Sequence, residues 1–93
     1  MDYAVIPVPN VETGQTISTS TTSAQSAALK ASDYCCVVSA ITYVARGTNP
    51  TATTSWMPLA PNTIHILRGI QEDEKLAFIL GSGTGTVSIC PIT

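Results

Sequence analysis

A single histidine, His65, is available for acid–base chemistry in this chain of 93 residues. A Ser-His-Asp triad is formally open to it, because serines are abundant and Asp33 and Asp73 are present. That chemistry needs a serine held with its hydroxyl within reach of the imidazole, and no elbow motif frames any serine here. His65 instead lies in the middle of "TIHILRG", between Ile64 and Ile66. This setting predicts a strand residue that faces solvent or an interface.

Cys35, Cys36 and Cys90 are the three thiols. Neighbouring strand residues point to opposite faces, so Cys35 and Cys36 cannot both face Cys90. The count is odd, and "MDYAVIPVPN", with an acid at position 2 and two prolines, does not read as a secretory signal. Reduced thiols made in a cytoplasm and used as small packing groups are expected. A zinc site would want four ligands at familiar spacing, and only His65 is left to join the cysteines.

Glu72, Asp73 and Glu74 bring three carboxylates together, yet the alternating oxygen ligands and central glycine of a calcium loop are missing. They read as a solvated turn. "GSGTG", Gly81 to Gly85, is followed by a strand pattern rather than by the helix that a phosphate loop requires, so it reads as a hairpin turn. No catalytic, metal-binding or cofactor-binding residue is expected.

The elements around these residues are short and β-prone. "YAVIPVP" is an edge strand or arm, because Pro7 and Pro9 cannot donate ladder hydrogen bonds. "GQTISTST" alternates around Ile17, and "DYCCVVS" is an apolar run that "ITYVARG" continues after a kink near Ser39 and Ala40. "TIHILRG", "KLAFILG" and "TVSIC" follow. "TSAQSAALKASD" suits either a short helix capped by Ser23 or a strand, and its β-rich surroundings favour the strand. Seven or eight short strands separated by turn signals predict an all-β fold, an antiparallel β-sandwich of jelly-roll type. It forms one domain over 1–93, with 1–10 as an extended N-terminal arm.

Composition restricts the partners. Only 11% of residues are charged and the formal net charge is −2, against about 25% charged in an average soluble protein. Lys30, Arg46, Arg68 and Lys75 are the only cations, and they are scattered, so nothing would neutralise a phosphate backbone. No apolar run approaches the roughly 18 residues of a membrane span. Neither nucleic acid nor membrane is an expected partner. Ser and Thr carry the polarity, and a neutral hydroxyl surface is cheap to bury if its hydroxyls find acceptors.

The long segment "TYVARGTNPTATTSWMPL" carries no chemistry and one charge, Arg46. Asn49 and Pro50 set turn geometry, since proline fixes its own φ and pushes Asn49 toward extended backbone. Trp56 and Met57 end the segment. They either fold back as a lid on the core or face a partner, because Trp is enriched at interface hot spots and Met at adaptable surfaces. Tyr3 and Val5 in the arm pose the same choice between packing on their own domain and adding to a neighbour's sheet. Tyr3, Val5, Asn49, Pro50, Trp56 and Met57 are therefore the candidate partner interface.

The order of motifs resembles a known group. "GQTIS", "SAQSAAL", "CCVVSAITYVARGTNPTAT", "MPLAPNTIHILRG", "EDEKLAFI" and "GTGTVSI" follow one another as in small β-sandwich structural proteins of tailed bacteriophages. The resemblance covers roughly residues 1 to 92, and "GTNPTAT" is its most distinctive element. It implies a capsid cement or decoration protein, made in the host cytoplasm and carried on the outer capsid surface of the virion. Its partner would be the major capsid protein, and symmetry-related copies would associate as dimers or trimers. A head–tail joining, tail or fibre component is a second reading. A carbohydrate- or host-surface-binding module is a third, with Trp56 and the tyrosines as its sugar-stacking candidates.

Overall fold

The computed structural model describes residues 14–55 and 57–92. Eight strands are formed: β1 (Gln15–Thr19), β2 (Ala24–Gln25), β3 (Ser32–Val38), β4 (Thr42–Gly47), β5 (Met57–Leu59), β6 (His65–Ile70), β7 (Lys75–Leu80) and β8 (Gly85–Ile92). Among the described residues there is no helix. The arm "YAVIPVP" lies outside them.

The topology is that of one long antiparallel ribbon. β1 pairs with β8, β2 with β7, β3 with β6 and β4 with β5. The ribbon is then rolled so that β3 also pairs with β8 and β4 with β7. Two four-stranded sheets result. Sheet I has the order β1-β8-β3-β6 and sheet II the order β2-β7-β4-β5. This is the strand order of a jelly roll, a double-sheet closure that leaves few open edges.

The space between the sheets is filled by alternate residues, as the period of two requires. Phe78, Leu76 and Leu80 of β7 face Val38, Cys36 and Tyr34 of β3 and Val87 and Ile89 of β8 across the core. Val44, Leu59, Ile70 and Leu29 complete it, and Ile17 packs at its margin. Tyr34 brings a hydroxyl inward and satisfies it twice, accepting from Lys30 N at 3.0 Å and donating to Lys30 O at 2.9 Å. These bonds hold the irregular 26–31 stretch over one end of the core.

Three local expectations are corrected. "GSGTG" does not close a hairpin: β7 belongs to sheet II and β8 to sheet I, so the link crosses between sheets. Glycines allow either turn, and local sequence cannot tell a hairpin from a corner. Gly83 does take a left-handed φ of 75°. "ITYVARG" does not continue the preceding strand; the chain leaves sheet I after Val38 and enters sheet II at Thr42. "TSAQSAALKASD" contributes only the two-residue β2. The rest runs beside β7 without repeating a ladder, held by Ser26 N to Leu76 O and Leu29 N to Glu74 O, both 2.8 Å.

Candidate partner interface

Of the interface residues expected from the sequence, Tyr3, Val5 and Trp56 lie outside the described residues. Asn49 and Pro50 sit in the β4–β5 connection, the tip of the ribbon and the one link that stays within a sheet. The tip folds back on its own domain. Gln25 Nε2 donates to Asn49 Oδ1 at 2.9 Å and to Pro50 O at 2.8 Å. Ala52 N donates to Ser23 Oγ at 2.9 Å. The chain thus leaves β4, reaches across β7 to β2, and returns to pair as β5 on the far side of β4.

The register shows which face it crosses. Phe78 points into the core, so Ala77, with Gln25 and Ala45 opposite it, points outward. Ala77 is nevertheless fully buried, as are Pro50 and Ala52. Small side chains on β4 and β7 make room for the strap. Pro50, expected at a partner surface, is buried in its own domain instead, because backbone carbonyls and amides near it find their partners on β2. Asn49 remains exposed with its carbonyl oxygen engaged. Met57 stays 56% exposed on the edge strand β5.

The outer face of sheet I is built differently. Cys36, Tyr34, Val87 and Ile89 point inward, so Cys35, Val37, Ser88, Cys90 and Thr86 point outward, with Thr16 and Ser18 beside them on β1. On β6, Ile66 lies opposite Cys35 and therefore also points outward. It is 49% exposed, and Ile64, two residues earlier, is 41% exposed. Ile64 precedes β6, so the exposed isoleucines flank the first residue of this edge strand. Exposed Ile41, just before β4, lines a surface hollow with Tyr43 on the side of sheet II.

The orientation of His65 follows, and it corrects the expectation that it faces solvent or a partner. His65 lies opposite Cys36 and turns to the inner side at the open end of the sandwich, half-buried, with Nε2 3.0 Å from Ala60 O. A β-bulge explains how Leu67 and Ile70 can both face inward. The register shifts between Ser32 and Tyr34, Gly69 takes φ 74°, and Arg68 and Gly69 stand against Asp33. Gly69 N donates to Asp33 Oδ1 at 2.9 Å. Glycine meets the left-handed requirement of such a bulge at no steric cost. The "RG" in "TIHILRGI" was the available signal for it.

Among the described residues, His65 and the carboxylates are not brought together into one site. Asp33 is engaged by Gly69 and by Arg68, 3.9 Å away. Glu72 pairs with Lys30 at 3.1 Å and raises that ammonium's pKa, while Glu74 pairs with Arg46 at 3.5 Å. Asp73 sits between them with a left-handed φ of 66°, donating its amide to Leu29 O. Asp tolerates this backbone better than most residues. The acidic trio is therefore a turn whose members bond within the domain. Arg46 also donates to Arg68 O at 3.2 Å and partly closes a shallow apolar cleft between β4 and β6, lined by Val44, Leu67, Ile70 and Leu76. Burial pushes the Cys36 thiol up to about 12, with Cys35 adding to the effect.

What the geometry offers is a surface. The outward positions of sheet I carry hydroxyls, small sulfur groups and aliphatic side chains, with Asp33 and Arg68 as a mutually compensating pair. The fold is a jelly-roll β-sandwich. No known family matches the chain, and neither a curated protein nor a solved structure matches it.

Proposed function

We propose that this chain is a non-enzymatic structural protein of a virion, which binds the outer capsid shell and stabilises it. The observation that carries the reading is the neutral outer face of sheet I, edged by exposed Ile64 and Ile66. Apolar side chains at roughly half exposure on a rigid sheet suit burial against a partner, where each Å² removed from water contributes about 25 cal/mol. The hydroxyls around them can find acceptors in that partner at little cost. The resemblance of the motif order to small phage β-sandwich proteins is what favours the major capsid protein as partner. On this reading the strap belongs to the module's own architecture and sheet I makes the contact. Many copies engaged at once add modest affinities into a large resistance to shell opening.

Co-sedimentation of the purified protein with capsids lacking it tests the proposal. Saturable binding at hundreds of copies per particle is expected. A handful of copies would move the protein to the neck or tail, and no binding would end the capsid reading.

A further inference from the structure

We infer that Cys35 and Cys90 form a cross-strand dithiol which a low-molecular-weight disulfide, such as oxidised glutathione, converts into an intramolecular disulfide on the outer face of sheet I. Three observations place the two sulfurs together. Cys35 lies directly opposite Cys90 in the antiparallel register of β3 and β8. Both residues point away from the core, because their neighbours Cys36 and Ile89 are in it. Both are unbonded thiols, and the nearby Cys90, after burial itself, helps to raise the Cys35 pKa.

The backbone geometry permits closure. Directly opposed residues in antiparallel strands have Cα atoms about 4.5–5.5 Å apart, inside the range of about 4.4–6.8 Å that disulfides span. Their Cβ atoms stand about 4.5–5.5 Å apart, slightly wider than a relaxed bridge of about 3.8 Å. The bond must therefore draw two strands together. Such bonds are labile and reversible rather than permanent. The thiols are only 6% and 4% exposed, but they lie on the outer side of a sheet, away from the interior of the sandwich. A reagent reaches them by displacing side chains, without separating the sheets.

The chemistry is two successive exchanges. One protein thiol loses its proton and attacks a sulfur of oxidised glutathione, whose S–S bond breaks. One glutathione thiolate leaves and takes up a proton. The second protein thiolate attacks the protein sulfur of the mixed disulfide and expels the other glutathione. The dithiol is oxidised by two electrons, one disulfide is reduced to two thiols, and the two protons end on glutathione. Cys36 takes no part, since it faces the core on the opposite side of β3. The step follows from the Cys35–Cys90 pairing whether or not the capsid reading holds. A chain made reduced would close the bond on reaching an oxidising medium.

The test uses the unchanged full chain. It is incubated with excess oxidised glutathione, quenched with acid, denatured, alkylated and weighed by mass spectrometry. The expected product has lost two hydrogens, carries one alkyl group on Cys36, and yields a peptide linking Cys35 to Cys90. Reduced glutathione in excess should restore three alkylatable thiols. Cys36→Ala should still close the bond, and Cys90→Ser should stop it. Three free thiols after oxidation would overturn the inference. So would a stable glutathione adduct on one cysteine, or a disulfide between two chains. Peptide mapping of the unchanged protein keeps the test decisive even if a variant fails to fold.

Discussion

The two outward faces of this jelly roll solve the same problem in opposite ways. Sheet II covers itself: the ribbon tip between β4 and β5 crosses it, Gln25 and Ser23 hold the tip by side-chain bonds, and Ala77 is sealed beneath. Sheet I presents hydroxyls and two half-exposed isoleucines. The difference lies in which side chains point outward at the middle strands. Ala45 and Ala77 on β4 and β7 leave room for the strap, whereas Val37, Thr86 and Ser88 stand at outward positions of sheet I. Among the described residues, the strap over sheet II is a cover for which sheet I has no counterpart.

The largest expected effect contrasts the two sides of sheet I through adjacent residues. Cys36 faces the core and its thiol is pushed up to about 12, from an ordinary value of 9.0, mainly by burial. The folded state therefore holds a proton that the unfolded state loses as pH rises past about 9. The stability tied to this thiol is fully present below about pH 9 and declines as pH climbs toward 12. The loss is roughly 4 kcal/mol over that window, a little over 1 kcal/mol per pH unit. Urea midpoints between pH 8 and 11 measure it. Cys36→Ala should flatten the alkaline decline, while Cys35→Ala should leave most of it. An unchanged slope in Cys36→Ala would place the alkaline sensitivity elsewhere.

The next effect compares the outer faces directly. Ala77→Leu adds bulk under the strap and should cost about 1–3 kcal/mol, the usual penalty of overpacking a filled site. Ser88→Leu adds bulk on the outer face of sheet I, where nothing in the described strands opposes it, and should shift stability by no more than about 0.5 kcal/mol. Equal costs would mean that sheet I is covered as tightly as sheet II. Gln25→Ala is milder still. It removes both bonds from Nε2 to the strap, and water can replace them at this exposed site, so about 1 kcal/mol is expected. Cleavage within 48–55 during limited proteolysis should accelerate. An unchanged digestion rate would show that packing of Pro50 and Ala52, and not Gln25, holds the strap.

Much of this architecture was legible in the sequence, for reasons that particular residues make plain. The dense apolar run "KLAFIL" and the alternation in "TVSIC" mark two strands, and their Leu76, Phe78, Leu80, Val87 and Ile89 are all buried. The number of short strands points to a two-sheet fold, and the strand order bears out the jelly roll. The corners after Val38 and Leu80 were illegible, because a glycine or serine turn has the same local chemistry whether the chain returns to its own sheet or crosses to the other. The strap was illegible for a related reason. Nothing in "GTNPTATT" states that Gln25, more than twenty residues earlier, will hold it. The outward turn of Ile64 and Ile66 was hidden by the alternation itself: His65 and Leu67 alternate with them, and the period of two gives two faces without saying which is inside. The pairing of β6 with β3 decides it for Ile66.

A variant with a small effect on stability carries the most weight for function. Ile64→Thr with Ile66→Thr keeps β-branched side chains on a strand edge and removes apolar area that is half in water already. Thermal stability should change by no more than about 1 kcal/mol. Capsid binding should fall much further, because burying both isoleucines in a partner is worth about 2 kcal/mol more than burying threonines there, roughly 30-fold in affinity per site. Asn49→Ala on the strap side should leave binding unchanged. The pair of measurements is sensitive to the faces being interchanged. If Asn49→Ala removes binding and the isoleucine variant does not, the ribbon tip meets the shell and the free face of sheet I serves something else. If the isoleucine variant alone fails to bind while melting normally, the β6 edge of sheet I is the contact surface.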